Sequence, residues 1–148
     1  MKSQLDSFDL KIINHLRING RIPVTQLAKT IGMSKSPCQA RIKRLEKDGY
    51  IVGYTANIDH AKLGQGQVAF AEVRMSNTKE KALDEFNKAV SQIPEIEECY
   101  LIAGSFDYLL KVRTEDINAY RKVLAETISN LPYVANTSTY VSMQSVKA

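Results

Sequence analysis

The stretch PVTQLAKTIGMSKSPCQARIKRLEKDG, residues 23–49, decides the reading of this 148-residue chain. Pro23 suits the first turn of a helix, where its missing N–H removes no intrahelical bond. Val24, Leu27, Ala28 and Ile31 then recur at helical spacing, and Gly32 ends the run. Ser34 is a natural N-cap for a second helix with Cys38, Ile42 and Leu45 on its inner side, closed by Asp48-Gly49. Two short helices joined by a glycine-containing turn describe a helix-turn-helix.

The outward side of the second helix fits duplex DNA. Ser34, Lys35, Ser36, Gln39, Ala40 and Lys43 are assigned to the groove-facing surface, where short polar side chains reach base edges. Gln39 is the candidate for a bidentate contact to adenine, and Lys43 for guanine or a nearby phosphate. Arg41, Arg44 and Lys47 are expected on the phosphate backbone, setting affinity rather than sequence choice. The competing reading is a protein-interaction module with a solvated basic face. Strong salt dependence of duplex binding separates the two.

Working outward, Asp6 caps an earlier helix with Asp9 at its third position, Leu5 stapling to Leu10. Leu10, Ile12, Ile13 and Leu16 supply its apolar positions, and Asn19-Gly20 stops it. Residues 50–59 read as a short β-rich wing around Gly53. Charge follows the same division. Residues 1–63 hold eleven Lys/Arg and five Asp/Glu, a net +6, whereas residues 64–148 hold nine and eleven, a net −2. Only the first half is suited to a polyanion.

Beyond Gly64-Gln-Gly66 the pattern changes. Residues 67–75 predict a strand, 79–92 a helix, and 98–103 with 106–113 two strands joined by a tight Gly104-Ser105 turn. Asp116 caps a helix carrying Ile117, Tyr120, Leu124, Ile128 and Leu131, Pro132 stops it, and residues 133–146 predict a closing strand. The expected class is α+β: a winged helix-turn-helix over 1–59, a linker over 60–66, and a βαββαβ ferredoxin-like domain over 67–148. Such a sheet leaves one face open. Leu109 places apolar surface there, so pairing with a second copy, a homo-oligomer, is expected.

Enzyme chemistry is not expected. His15 and His60 stand alone, no nucleophile–base set or glycine-rich phosphate loop occurs, and Cys38 and Cys99 match no metal spacing. No metal site or cofactor is therefore anticipated. The first residues lack an apolar signal core and no apolar run could cross a bilayer, which predicts a cytoplasmic protein without membrane contact. Asp107 beside an apolar strand reads either as part of a plain hairpin turn or as a partner for a ligand ammonium, with turn N–H groups meeting a carboxylate.

Four blocks now stand in order: LDSFDLKIINHLRINGR at 5–21, MSKSPCQARIKRLEKDGYIVGYTA at 33–56, GSFDYLLKVR at 104–113 and TYVSMQSVK at 139–147. Together they resemble the leucine-responsive regulatory protein/AsnC family of bacterial and archaeal regulators, over nearly the whole chain. The resemblance implies a DNA-binding transcription regulator modulated by a free amino acid. It implies dimers that commonly assemble into octamers, with DNA wrapping around them and effector clefts between dimers. It also implies an effector pocket formed by Leu101, Gly104, Asp107, Ile117, Tyr140, Val141 and Ser142. At Ser142 the chain departs from the family's leucine-responsive pattern, which has a second valine there, so a hydroxyl enters the expected pocket.

Overall fold

Reciprocal capping sets the first helix. In the computed structural model, which describes residues 4–147, α1 runs Ser7–Ile18. Asp6 Oδ1 accepts from the Asp9 N–H at 2.9 Å and Asp9 Oδ2 from the Asp6 N–H at 3.1 Å. α2 spans Val24–Ile31 with Pro23 as its N-cap, and Gly32 ends it at φ 75°, a left-handed conformation that glycine adopts without Cβ strain. α3 spans Lys35–Lys47. Its Cys38, Ile42 and Leu45 join Ile12, Leu27, Ala28 and Ile31 in one buried cluster.

Two expectations for this part are revised. Leu10 is 49% exposed, while Leu5, Phe8, Ile13 and Leu16 pack against the cluster around Ile12. The helical period explains it: two residues from Ile12 is about 200° of rotation, so Leu10 faces the other way. Residues 50–59 form no strand. A single extended segment has no ladder without a partner, and Val52 stands 96% exposed. Tyr54 instead donates its hydroxyl to Glu46 Oε1 at 2.8 Å. Burial, and then that carboxylate, push the Tyr54 phenol up to about 12.

The chain divides into two units, Met1–Asn57 and Ile58–Ala148. Residues 60–66, expected as linker, form a turn within the second, where the Gln65 N–H donates to His60 O at 2.9 Å. The second unit then runs β1 Gln67–Met75, α4 Glu80–Val90, β2 Ile96–Leu101, β3 Tyr108–Thr114, α5 Ile117–Glu126, a 3-10 turn at Ile128–Asn130, and β4 Val134–Val141. This is the βαββαβ order. The sheet order is β2-β3-β1-β4, every neighbouring pair antiparallel. β4 stops at Val141, five residues short of the expected end.

Alternation assigns the faces. Ala69, Ala71, Val73 and Met75 of β1 and Tyr108, Leu110 and Val112 of β3 are buried with Phe86, Val90, Tyr120 and Ile128. The Phe86 and Tyr108 ring centroids lie 4.3 Å apart, and the Tyr108 hydroxyl donates to Asn87 Oδ1 at 2.8 Å. The opposite face carries Phe70, Glu72, Glu98, Tyr100, Leu109, Lys111, Arg113 and Tyr140 by register. It is far more charged than Leu109 alone suggests.

Two stability outcomes follow. Phe86→Ala should lower the second unit's stability by about 3–5 kcal/mol, read as a shifted denaturation midpoint, because Phe86 is fully buried. In the first unit, Asp9 is 1% exposed, and burial pushes its carboxyl up. The Arg44 guanidinium, the Asp6 N–H and Arg41 outweigh that and bring it from 3.8 down to about 2. A folded value below the unfolded one adds stability above about pH 4 that is lost as pH falls toward 2, on the order of 2 kcal/mol. Protection of the amides across α1 and α3, taken relative to their intrinsic exchange at each pH, should therefore fall over that window, and Asp9→Asn should flatten the change. An equal acid response in both proteins would remove Asp9 as its source.

Candidate functional site

On α3, Ser36, Gln39, Ala40, Lys43 and Lys47 share an arc of about 100° opposite Cys38, Ile42 and Leu45. All five are exposed, as are Ser34 at the N-cap and Lys35. The small side chains at Ser34, Ser36 and Ala40 let a neighbouring surface approach the first two turns closely. Gln39 and Lys43 lie one turn apart on the same arc.

Arg41 and Arg44, expected on phosphate backbone, are engaged by carboxylates of α1. Arg41 Nη1 lies 2.7 Å from Asp6 Oδ2 and 2.8 Å from Asp9 Oδ1, and Arg44 Nη2 lies 2.6 Å from Asp9 Oδ1. Arg41 also stacks over the Phe8 ring at 5.7 Å. The physical reason is rotation: both arginines sit on the flank of α3 that turns toward α1, not on the outward arc. Sequence spacing along α3 carries no signal for this, because the partners are more than thirty residues away.

The residues expected in the effector pocket fall into two groups. Leu101 ends β2 opposite Tyr108, and Gly104 and Asp107 lie in the loop that follows. Ile117 begins α5, while Tyr140, Val141 and Ser142 pair with or adjoin Phe70, Ala69 and Val68. By register through β1, Tyr140 lies level with Lys111 at the middle of β3, and Val141 and Ser142 lie level with Val112 and Arg113. Ile117 follows the far end of β3, whereas Leu101, Gly104 and Asp107 lie at its start. Six steps of about 3.4 Å separate its ends, about 20 Å in all. Tyr140 and Val141, adjacent in β4, also point to opposite sheet faces.

Asp107 ties the loop to β1. Its Oδ2 accepts from the Met75 N–H at 2.7 Å, its N–H donates to Val73 O at 2.9 Å, and its carbonyl accepts from Ile102 at 2.7 Å. Arg74 Nη2 donates to Ser105 O at 2.8 Å across the same loop, which is wider than a tight two-residue turn. Gly104 is not left-handed, and a Cβ there would meet Ile102 at 3.6 Å, ordinary contact. The missing side chain thus leaves the loop backbone uncovered.

A charged chain on the open sheet face escaped sequence reading. Lys111 Nζ lies 2.9 Å from Glu98 and 3.5 Å from Glu97, Arg113 pairs with Glu97, and His60 Nε2 lies 3.9 Å from Glu97. A register shift in β2 between Ile96 and Glu98 lets both glutamates reach the same side. Burial pushes Glu97 up, but Arg113, Lys111 and His60 outweigh it and hold the carboxyl below its usual range. The opposed charges of 97–98 and 111–113 were the available signal. A cavity of about 900 Å³ beside this chain is lined by Phe70, Lys111, Arg113 and Ser142 among others. A second, of about 560 Å³, lies between α4 and β2 and includes Leu101, Cys99 and Tyr108. Burial raises the Cys99 thiol to about 11, unsuited to thiolate chemistry. Among the described residues no group of His, Cys, Asp and Glu is arranged to hold a metal ion, and no helix is long and apolar enough to cross a membrane.

Comparison with known proteins agrees with this division. Residues 5–52 match a winged helix-turn-helix DNA-binding domain, and residues 68–148 match an Lrp/AsnC ligand binding domain. A proline dehydrogenase transcriptional activator of Rhizobium radiobacter is 61% identical, covering 97% of this chain and 92% of that protein. The leucine-responsive regulatory protein of Escherichia coli K12 is 44% identical, covering 97% and 87%. A Neisseria meningitidis transcriptional regulator, solved as a complex with L-methionine, superposes with a TM-score of 0.92 at 29% identity, covering 98% and 94%. With the helix-turn-helix built and the βαββαβ unit beside it in sequence, the chain belongs to the Lrp/AsnC family, as a DNA-binding transcription regulator with a small-molecule ligand-binding domain.

Proposed function

We propose that α3 reads operator sequence in the major groove through Ser34, Lys35, Ser36, Gln39, Ala40 and Lys43, with Lys47 on phosphate. The observation that carries this reading is the exposed arc of short polar and cationic side chains on a helix whose opposite side is locked in a buried cluster. The effector is a free amino acid. Its ammonium meets Asp107 and its carboxylate meets loop N–H groups near Gly104, while Leu101, Ile117, Tyr140, Val141 and Ser142 surround the rest. Because Asp107 precedes β3 and Ile117 follows it, about 20 Å away, the pocket is completed by another copy of the chain. The protein accordingly works as a homodimer that assembles further, to an octamer, in the cytoplasm.

The 61% identical activator directs attention to a proline dehydrogenase gene as the regulated target. A regulator of a catabolic gene is expected to answer to the substrate of the enzyme, which makes proline the first amino acid to test. Genomic DNA selection with the purified protein, repeated across a panel of amino acids, tests target and effector together. Enrichment of DNA upstream of a proline dehydrogenase gene, changed by an amino acid, supports the proposal. Duplex binding that stays flat as salt rises overturns it, since phosphate neutralisation is then absent.

Gln39→Ala should cost about 1–3 kcal/mol at the selected site and relax preference there. Equal losses on selected and scrambled duplexes would reduce Gln39 to a positioning contact. Asp107→Asn retains an acceptor for the Met75 N–H while removing the charge, so it should abolish the amino-acid response and leave DNA affinity within about twofold. A normal response in this variant takes Asp107 out of the pocket.

A further inference from the structure

Asp9 is unusual in this fold: a carboxylate 1% exposed in a small helical unit, 32 residues from its nearest cationic partner. Its Oδ1 takes Arg41 at 2.8 Å and Arg44 at 2.6 Å, and its Oδ2 takes the Asp6 N–H at 3.1 Å. Asp6 Oδ2 holds Arg41 as well, at 2.7 Å. One end of α1 therefore grips one flank of α3 through two arginines a turn apart. Apolar contact at Ile42 and Leu45 sets how near α3 packs, but tolerates some rotation. Directional bonds between guanidinium and carboxylate do not.

We infer that Asp9 is a positioning residue for base reading: it fixes the rotation of α3 against α1 and keeps Arg41 and Arg44 occupied within the protein, away from phosphates. This rests on α3 being the reading helix. The consequence concerns selectivity. Two arginines released toward DNA would add phosphate contacts that are blind to sequence, while a helix free to turn would present Gln39 and Lys43 to bases less consistently. Asp9 thus lowers indiscriminate affinity and raises discrimination together.

The test compares Asp9→Asn and Arg44→Gln with the unmodified protein, on the selected site and on a scrambled duplex, from 50 to about 300 mM salt. For Asp9→Asn the ratio of affinities should fall at least tenfold. On scrambled DNA its slope of log affinity against log salt should steepen by about one to two units, each phosphate contact contributing about 0.9. Arg44→Gln should lower the ratio yet leave that slope unchanged, because Arg44 is held by Asp9. A slope shallower by about 0.9 in Arg44→Gln means Arg44 already neutralises a phosphate and overturns the inference. So does a folded Asp9→Asn protein with unchanged ratio and slope. Should Asp9→Asn fail to fold, the Arg44→Gln slope decides alone. Gln39→Ala run in parallel keeps the two readings apart. Its failure to alter the ratio counts against α3 as reader, whereas a normal Gln39→Ala loss with an unchanged Asp9→Asn counts against the clamp only.

Discussion

The carboxylate of Asp9 sits where a small helical unit can least tolerate charge, and the arrangement of α1 and α3 follows from how that charge is met. Taking an ion out of water costs several kcal/mol unless its lone pairs are filled. Here Arg41, Arg44 and the Asp6 N–H fill them at 2.6–3.1 Å. The same residue closes the capping box of α1, so one side chain both starts a helix and docks another. An apolar pair at this position would stabilise the contact comparably without dictating a rotation. Specifying one orientation is the benefit of a polar contact that an apolar one lacks, and on the proposed reading α3 is the element whose orientation matters most.

The second unit divides its labour differently. One sheet face is closed by α4 and α5 over Ala69, Val73, Tyr108, Leu110 and Val112, and the tight packing of Phe86 on Tyr108 needs no polar guidance. On the other face Glu97 and Glu98, brought to one side by the irregularity in β2, share Lys111 and Arg113. Opposite charges across β2 and β3 favour this register over a one-residue slip, which would carry each charge to the buried face. An open face of this kind is selective about what lies against it. Its ion pairs demand a matching surface, whereas a purely apolar face would accept many.

Much of this was legible in the chain. Ser34, Cys38, Ile42, Leu45 and Gly32 announced their helices because caps and stripes are local signals, and the Asp6–Asp9 capping box formed as its spacing implied. The β-α-β-β-α-β order was equally readable, since each element carries its own period. Misreadings came from non-local effects. Residues 50–59 have strand-like composition, but strands need partners, and Tyr54 found Glu46 instead. Leu10 was counted with the core when Phe8, four residues before Ile12, takes that place. The ion pairs of Arg41 and Arg44 could not be read from α3 alone, because their carboxylates lie on α1. The β2 irregularity, which shifts Glu97 relative to Glu98, left no mark in residue type.

The separation of the proposed effector residues carries a thermodynamic consequence. Asp107 and Ile117 flank β3 at ends about 20 Å apart, and a free amino acid is far shorter than that. On the proposed reading, a ligand that touches both Asp107 and Ile117 must therefore take them from different copies. It binds the assembled protein and not the separated chains, and so favours assembly by RT ln(1 + [L]/Kd). Linkage makes the relation reciprocal: whatever DNA arrangement favours that assembly must also tighten the effector. No motion needs to travel from the pocket to α3 for the amino acid to change DNA binding. On that reading the incomplete pocket makes the number and arrangement of joined copies the variable, and each copy brings its own fixed α3 to the DNA.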